Sequence, residues 1–295
     1  MLRCTVLAAA CLVVSLLAAG CQELNPPHVM VVMMENQGYD QVIGNPAMPF
    51  TNSLATQYGV ASQSYACSHG SLANYIEITS GACPTSAASD PPPSSQTYPY
   101  QTIADQLSAV GDTAQAYAEN LPADPSTTSG LYDVGHNPWA YYPDTHMPMA
   151  DASGMMATLN SASAPDFVWY TPNIVDDGHT GQPTDTEATE LAGAESFLSS
   201  FIPEVQSTSW YQDGGQIIIE WDEALDGDSS GINGGSGGHV PTIVVSKFLA
   251  ATPTTYLGSV STAGILHSIE HIYGVSYLGD ANVAANGNID PLLYW

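Results

Sequence analysis

Positively charged side chains are almost missing from this sequence. Lysine and arginine together number 2, against 29 aspartates and glutamates, so the formal net charge is −27 at pH 7. The two cations are Arg3 and Lys247. Proteins hold nucleic acids and anionic membranes mainly through lysine and arginine, so this composition excludes a nucleic-acid partner and argues against an anionic membrane surface. Metal cations are the partners that such a chain attracts.

The shortage of cations also bears on pH. At neutral pH the carboxylates repel one another, whereas in acid they become protonated and almost no positive charge replaces theirs. We therefore expect the protein to work in an acidic medium outside the cytoplasm. Drift of surface composition in an acidic proteome is an equally open interpretation.

Long apolar runs are rare, and the clearest one is at the N-terminus. Residues 1–21, MLRCTVLAAACLVVSLLAAGC, combine one cation, an apolar run and small residues. This pattern is typical of a secretory signal and is short for a membrane span. The ending before Cys21 resembles the bacterial lipoprotein box, whose cysteine is lipidated and becomes the mature N-terminus. We expect a signal at 1–21 and a single domain at 22–295.

Several locations fit such a signal. The protein would be exported and would be periplasmic, anchored to a membrane through a lipid on Cys21, or secreted. Ordinary secretion with cleavage near this point is the alternative to lipidation.

Cysteine is scarce outside that segment, where only Cys67 and Cys83 are found. An even pair in an exported protein predicts a disulfide, which here would bracket a predicted helix. Two free buried thiols are the alternative.

Alternating apolar segments predict the fold class. Runs typical of buried strands occur at 28–34, 166–171, 216–221 and 241–246. Helical patterns occur at 47–58, 101–110, 184–202 and 262–274. In these, Val110 is expected to face inward and Pro203 to end its helix. The order predicts an α/β fold, a three-layer α/β/α sandwich with a mostly parallel central sheet.

Residues 68–81, SHGSLANYIEITSG, predict a helix that begins at Ser71. Its buried face is spaced at i, i+3, i+4 and i+7 and comprises Leu72, Tyr75, Ile76 and Thr79. Ser71 and Asn74 share another face. A helix N-terminus behind a glycine suits an anionic group such as phosphate, and a serine there can act as a nucleophile. Considered alone, this stretch favours the alternative that Ser71 merely caps the helix.

Polar side chains follow three predicted strands. Glu35 and Asn36 follow the first, and Asp222 and Glu223 follow 216–221. Because the carboxyl ends of parallel strands meet at one sheet edge, these groups are expected to lie near one another. Carboxylate and amide oxygens suit Mg, Ca or Mn, with Zn possible. Polar loops without a ligand are the alternative.

Three histidines lie in polar or irregular segments. His179 follows the strand at 166–171 together with Asp176 and Asp177, while His136 and His239 lie in or beside loops. Such histidines can bind phosphate oxygens or protonate a leaving group. For His136 a purely structural hydrogen bond is the alternative.

These motifs together resemble one family. In chain order they read VVMMENQGYDQVIGNPAMPFTNSLA, SHGSLANYIEITSG, HNPW, PNIVDDGHTG, IIIEWDE, GGHVPTIVV and ILHSIEHIYGV. The set resembles the bacterial phosphoesterase family of acid phosphatases and phosphatidylcholine-type phospholipases C, within the alkaline phosphatase superfamily. The resemblance runs from about Val29 to Trp295. It implies an alkaline phosphatase-like fold and metal-dependent hydrolysis of phosphoric esters.

The resemblance also implies a role for each matching residue. The implied metal ligands are Glu35, Asn36, Ser71, Asp222 and Glu223. Ser71 matches the nucleophile. The implied phosphate-pocket residues are Asn74, His136 and His179. His239 matches a pocket histidine that some relatives lack, and it or His179 would serve as the leaving-group acid.

Three positions depart from the family pattern, and all three lose a residue that could hold phosphate. Relatives often have lysine or arginine at Gly135, histidine at Thr262 and arginine at His267. The expected function is an exported acid phosphatase that acts on phosphomonoesters through a phosphoserine intermediate. The alternatives are a phospholipase C-type diesterase acting on a phospholipid head group and a non-catalytic metal-binding surface lipoprotein.

Overall fold

The computed structural model describes residues 27–179, 186–225 and 227–294. The predicted signal at 1–21 and its Cys21 lie outside these residues. Across the described ranges, no helix is both long enough and apolar enough to cross a membrane.

One sheet runs through the described part of the chain. Its nine strands are β1 (Val29–Met34), β2 (Gly59–Tyr65), β3 (Ala114–Ala118), β4 (Met149–Asp151), β5 (Phe167–Thr171), β6 (Gln216–Trp221), β7 (His239–Ser246), β8 (Thr254–Tyr256) and β9 (Val260–Ser261). The spatial order is β4-β3-β5-β1-β6-β7-β2-β8, with β9 beside β2. Only the β6–β7 and β2–β7 pairs are antiparallel, so the sheet is mostly parallel as predicted.

Helices cover both faces of this sheet. The described helices are α1 (Tyr39–Val42), α2 (Pro49–Gln57), α3 (Ser71–Ser80), α4 (Ile103–Val110), α5 (Met155–Leu159), α6 (Glu187–Gln206), α7 (Ser209–Gln212), α8 (Lys247–Ala251) and α9 (Thr262–Tyr273). Successive side chains of β1 point to opposite faces. Val31 belongs to the core under α3, α4 and α9, and Val32 belongs to the core under α2, α5 and α6. This arrangement is the predicted three-layer sandwich.

The apolar runs at β1, β5, β6 and β7 form strands as predicted, but β2 and β3 carry weaker signals. The sequences of these two strands are GVASQSY and AQAYA. Glycine, alanine and polar residues have only a low intrinsic preference for strands. These two segments form strands because neighbouring strands pair with them.

Two predictions about helix ends were wrong. Val110 is 58% exposed, because it is the last residue of α4 and Gly111 turns the chain away with φ +94°. Pro203 lies inside α6, which continues to Gln206. The helix continues because Ile202 and Val205 on either side of the proline are buried in the core. The carbonyl that the proline leaves unbonded belongs to exposed Ser199 and can bond to water.

Strand register places the polar residues after β1 and β6 side by side. Met34 pairs with Trp221 in parallel register, and the Asp222 N–H donates to the Met34 carbonyl at 3.0 Å. The Glu35 N–H donates to the Asp177 carbonyl at 2.9 Å. Three loops at the carboxyl edge of the sheet therefore meet, as the general rule for α/β sheets predicts.

Candidate active site

The N-terminus of α3 lies at this edge and carries Ser71. Gly70 is the residue before the helix and has φ +102°. A side chain at Gly70 would collide with the backbone of Ala88, so only glycine allows this approach. The sequence predicted α3 from Ser71 with one buried face; every residue of the helix is in fact buried.

Asn74 fixes the turn that precedes Ser71. Its Oδ1 accepts hydrogen bonds from the N–H groups of Cys67 (2.9 Å) and Ser68 (3.2 Å). Its Nδ2 donates to the carbonyls of Ser68 (2.8 Å) and Gly70 (3.3 Å). The side chain is fully buried. In this structure Asn74 therefore clamps the backbone; its contact with phosphate stays a prediction.

The Ser71 hydroxyl does not cap its own helix. It donates to Glu35 Oε2 at 2.9 Å. It also faces Asp222, where it opposes in part the rise in pKa that burial causes. Ser71 is 4% exposed. A serine held between two carboxylates is positioned for chemistry, which the capping interpretation does not explain.

Glu35 is the centre of the cluster. The Tyr75 hydroxyl donates to Glu35 Oε1 at 2.6 Å, and Asn36 Nδ2 donates to Glu35 Oε2 at 2.8 Å. His136 Nε2 lies 3.5 Å from Oε1, and His179 Nδ1 lies 3.4 Å from Oε2. Burial alone would raise the pKa of Glu35, but the two histidines outweigh it and lower that pKa to about 2.

The two histidines differ in exposure. The His136 side chain is buried, and its Nδ1 lies 2.9 Å from Asp177 Oδ2. Burial lowers the pKa of His136, but the charges of Glu35 and Asp177 dominate and raise it to about 10. The His179 side chain is 42% exposed, and the hydrogen bond with Glu35 raises its pKa. His179 is therefore the histidine that solvent and a substrate can reach.

Asp222 and Glu223 complete the cluster in different ways. Asp222 Oδ1 accepts from the Asn36 N–H at 2.9 Å, while its Oδ2 is buried with no partner among the described residues. Burial and the charges of Glu35 and Glu223 raise the pKa of Asp222 well above its usual value. Burial likewise raises the pKa of Glu223, to about 7. An orphaned carboxylate oxygen beside two further carboxylates fits a divalent cation.

The helix N-terminus is already occupied in part. The Gly70 N–H donates to Glu223 Oε1 at 3.0 Å, and the Leu72 N–H donates to Asp90 Oδ1 at 2.9 Å. The positive end of the helix dipole thus stabilises carboxylates of the chain itself. Fewer free N–H groups remain for a phosphate than the sequence predicted.

Sequence comparison identifies the family. Residues 45–276 match the Phosphoesterase family. The chain belongs to the Phosphoesterase family. It is also similar to a phosphatidylinositol-3-phosphatase of Mycobacterium tuberculosis (strain ATCC 25618 / H37Rv), with 26% identity over 269 residues that cover 87% of this chain and 80% of the relative. This phosphoesterase is a hydrolase of phosphoric ester bonds.

The fold is similar to those of three solved structures, one of them a protein of the alkaline phosphatase superfamily. A protein of that superfamily from Vibrio parahaemolyticus matches with a TM-score of 0.61 and 15% identity, over 86% of this chain and 69% of that one. The lipoteichoic acid synthase LtaP of Listeria monocytogenes matches with a TM-score of 0.62 and 10% identity, over 92% and 76%. The zinc complex of the periplasmic domain of Escherichia coli EptC matches with a TM-score of 0.59 and 11% identity, over 92% and 88%.

The predicted metal ligands of the phosphoesterase meet only in part. Glu35, Asn36, Ser71 and Asp222 are joined by the contacts above, whereas Glu223 turns toward His69, whose Nδ1 lies 2.6 Å from Glu223 Oε2. A second ligand set shares Glu35. One ligand atom each from Glu35, His136 and His179 lie within 4.8 Å of one another, so this group could also hold a metal ion.

His239 lies apart from this cluster. Its ring stacks on Tyr39 at 4.4 Å, and its Nε2 lies 3.0 Å from the Ser62 carbonyl. No hydrogen bond or ion pair in the described part of the chain joins it to Ser71 or Glu35. Its role as a leaving-group acid stays a prediction without a supporting contact.

The three departures from the family pattern fall in different places. Gly135 donates its N–H to Asp133 Oδ1 at 2.8 Å in the turn that leads to His136. Thr262 is buried in the first turn of α9. His267 stacks on Tyr277 at 3.9 Å.

Sequence reasoning missed three residues that contact the cluster. These are His69, Tyr75 and Asp90, which bond to Glu223, Glu35 and the N-terminus of α3, respectively. Asp177, which the sequence places among the polar residues beside His179 without a role of its own, bonds to His136. Tyr75 is predicted only on the apolar face of its helix. His69 lies near Ser71 in the sequence, and this proximity is the available signal. Asp90 lies in the proline-rich loop 84–99, where no pattern marks it.

The predicted disulfide joins Cys67 and Cys83 with an S–S distance of 2.16 Å. It links the turn before α3 to the residues after it, as the sequence indicated. The bond therefore constrains both ends of the helix that carries Ser71.

Proposed function

We propose that this phosphoesterase is an exported, metal-dependent acid phosphatase that acts on phosphomonoesters through a phosphoserine on Ser71. The hydrogen bond from Ser71 Oγ to Glu35, at the start of a buried helix, is the observation that carries the proposal. The relative's name as a phosphatase supports monoesters as substrates. Export rests on the sequence at 1–21 and agrees with the disulfide, since disulfides persist in oxidising compartments.

The residues present define the nucleophilic step. Glu35 orients the Ser71 hydroxyl and takes its proton as the bond from Oγ to phosphorus forms. The low pKa of Glu35 makes it a weak base by itself, so the site fits a serine assisted by a cation. The cation would lie among Glu35, Asn36 and Asp222. When bound, a divalent cation would lower the pKa of the serine hydroxyl and offset the negative charge of the phosphate.

His179 is the best-placed group for the leaving oxygen. It is half-exposed, and its raised pKa favours the charged form, above all in acid. In the first step it donates a proton as the phosphorus–oxygen bond to the alcohol breaks. The neutral imidazole then accepts a proton from the water that attacks the phosphoserine. The bond from phosphorus to Ser71 Oγ breaks in this step, Glu35 returns its proton to Oγ, and phosphate leaves. His136, buried against Asp177, supplies fixed positive charge beside the phosphate in a chain that has almost no lysine or arginine.

A matched pair of serine variants tests the proposal. Ser71→Ala removes the hydroxyl at the start of α3, and Ser80→Ala removes a buried hydroxyl that donates to the Ile76 carbonyl near the end of the same helix. Hydrolysis of p-nitrophenyl phosphate is measured across a pH series with and without a chelator. We expect Ser71→Ala to lose on the order of 1,000-fold or more in kcat/KM, and Ser80→Ala to retain turnover.

Two further measurements separate the alternatives. Acid quenching during turnover followed by mass spectrometry should find phosphate on the peptide that contains Ser71. Faster hydrolysis of bis-p-nitrophenyl phosphate than of the monoester would favour the phospholipase C-type alternative. A folded wild type that hydrolyses neither ester, with any of Mg, Ca, Mn or Zn, would contradict the catalytic proposal and favour a metal-binding lipoprotein.

A further inference from the structure

A separate cavity lies toward the C-terminal end of α3. Its volume is about 310 Å³, which exceeds the volume of a single water molecule roughly tenfold. The disulfide and the glycine-rich loop 232–236 contribute to its lining. The polar groups of the lining include Glu77 of α3, Asp280 and Asn286.

Glu77 lines this cavity, and one oxygen of its carboxyl group is buried without a hydrogen-bond partner among the described residues. The residue is 4% exposed, and its Oε2 has no hydrogen-bond partner in residues 27–179, 186–225 and 227–294. Burial and the neighbouring charge of Asp280 raise the pKa of Glu77 to about 8, although the Ala263 N–H and the Thr262 hydroxyl lower it in part. A buried carboxylate oxygen without a partner is costly, so this group requires a ligand or a proton.

The chain brings a second carboxylate to the same place. Gly81 ends α3 with φ +72°, and a side chain there would collide with the Leu278 carbonyl. This close approach lets the Asp280 N–H donate to the Gly81 carbonyl at 2.7 Å. Asn286 Nδ2 donates to the Asp280 carbonyl at 2.8 Å, which leaves the Asn286 side-chain oxygen as an acceptor.

The lining has the chemistry of a hard-cation site. It offers two carboxylates and an amide oxygen, and its two sulfur atoms are joined in the disulfide and do not serve as thiolate ligands. No lysine or arginine of the described residues lies on the wall, since Lys247 donates to the Gln212 carbonyl elsewhere. No basic side chain among the described lining residues therefore neutralises these two carboxyl groups.

We propose that this cavity binds a divalent cation of the calcium class between Glu77 and Asp280, with Asn286 as a further oxygen ligand. The site is distinct from the cluster around Glu35. A bound cation ties the C-terminal end of α3 to the segment 278–286. It thereby steadies the helix whose other end carries Ser71.

Calcium binding to the disulfide-bonded protein tests this proposal by isothermal titration. The titrated protein also carries Asp222→Asn, which disables the cation site predicted around Glu35. The measured calcium binding therefore does not come from that site. We expect one Ca²⁺ with a dissociation constant below about 1 mM and at least about tenfold weaker binding in Glu77→Gln. Glu270→Gln is the matched control, because Glu270 also has a buried, unpartnered Oε2 but does not line the cavity.

Two results would overturn the proposal. One is no binding of Ca²⁺, Mg²⁺ or Mn²⁺ at up to about 10 mM, beyond the weakest protein calcium sites. The other is equal affinity in the Glu77→Gln protein. If Glu77→Gln does not fold, Asp280→Asn decides, because Asp280 is exposed and its replacement leaves the core intact. Calcium affinity that Asp280→Asn leaves unchanged would then refute the site.

Discussion

A substitution at Asn74 tests whether this side chain holds the backbone before Ser71 in place or instead contacts the substrate. Its four hydrogen bonds all go to the backbone of residues 67–70, directly before Ser71. Asn74→Ala removes all four and leaves the N–H groups of Cys67 and Ser68 without that acceptor. We therefore expect this variant to lose both stability and the correct position of the Ser71 hydroxyl.

The size of the loss follows from the number and burial of these bonds. Each hydrogen bond contributes about 0.5–1.5 kcal/mol net, and an unsatisfied buried N–H costs about 1–3 kcal/mol. We expect the free energy of unfolding to fall by about 3–5 kcal/mol. For a chain of this size the melting temperature should fall by roughly 6–15 °C. Misplacement of Ser71 should lower kcat more than it changes KM.

Asn52 provides a matched control for the assay. Its Oδ1 accepts from the Gly44 N–H, and its Nδ2 donates to the carbonyls of Val42, Asn45 and Met48. It therefore clamps a loop in the same way, at a place with no bond to Ser71. Asn52→Ala should lower the melting temperature in calorimetry and leave kcat for p-nitrophenyl phosphate nearly unchanged.

A different pattern would refute this reasoning. If Asn74→Ala keeps its melting temperature within about 2 °C of wild type and raises only KM, Asn74 acts as a phosphate ligand and not as a clamp. Equal loss of kcat in Asn52→Ala would show that general destabilisation, and not the position of Ser71, lowers turnover.

Three further predictions concern the disulfide, a buried acid and the hydroxyl on Glu35. Replacing Cys67 and Cys83 together by alanine should lower the free energy of unfolding by about 3 kcal/mol, because the bond closes a loop of 16 residues. An unchanged midpoint of urea unfolding would contradict this. Burial raises the pKa of Glu270 from 4.5 to about 8, so the folded state holds a proton that the unfolded state releases. The free energy of unfolding should therefore fall as pH rises from about 4.5 to 8. At pH 8 the Glu270→Gln variant should be more stable than wild type by about 2 kcal/mol, after allowance for solvent screening. Parallel curves of unfolding free energy against pH for wild type and variant would refute the pKa shift. Tyr75→Phe should lower kcat/KM about tenfold because Glu35 loses a 2.6 Å hydrogen bond, and a wild-type rate would show that Tyr75 only fills space.

The parallel sheet could be predicted because its central strands are buried on both faces. β1, β5 and β6 are continuous apolar runs, and such runs have few other stable places in a domain of this size. Strand β3 and the edge strand β4 escaped prediction because alanine, aspartate and glutamine carry little strand preference of their own. The extension of α6 past Pro203 was missed for a similar reason, since core packing outweighed a local signal.

The sequence by itself determined which residue types reach the carboxyl edge of the sheet. Glu35, Asn36, Asp222 and His179 each follow a strand, and Ser71 begins a helix, so their approximate meeting place follows from topology. It also determined the disulfide partners, since only two cysteines lie outside the predicted signal.

Only the tertiary structure decided what each of these side chains does there. In the folded chain Asn74 bonds to backbone groups, Glu223 contacts His69, and His239 stacks on Tyr39. Folding also brings Tyr75 and Asp177 into the cluster. Hydrogen bonds form or fail over a few tenths of an ångström, and periodicity along a chain fixes a face but not a distance. The pKa shifts have the same origin, because burial and neighbouring charge exist only once distant segments are packed together.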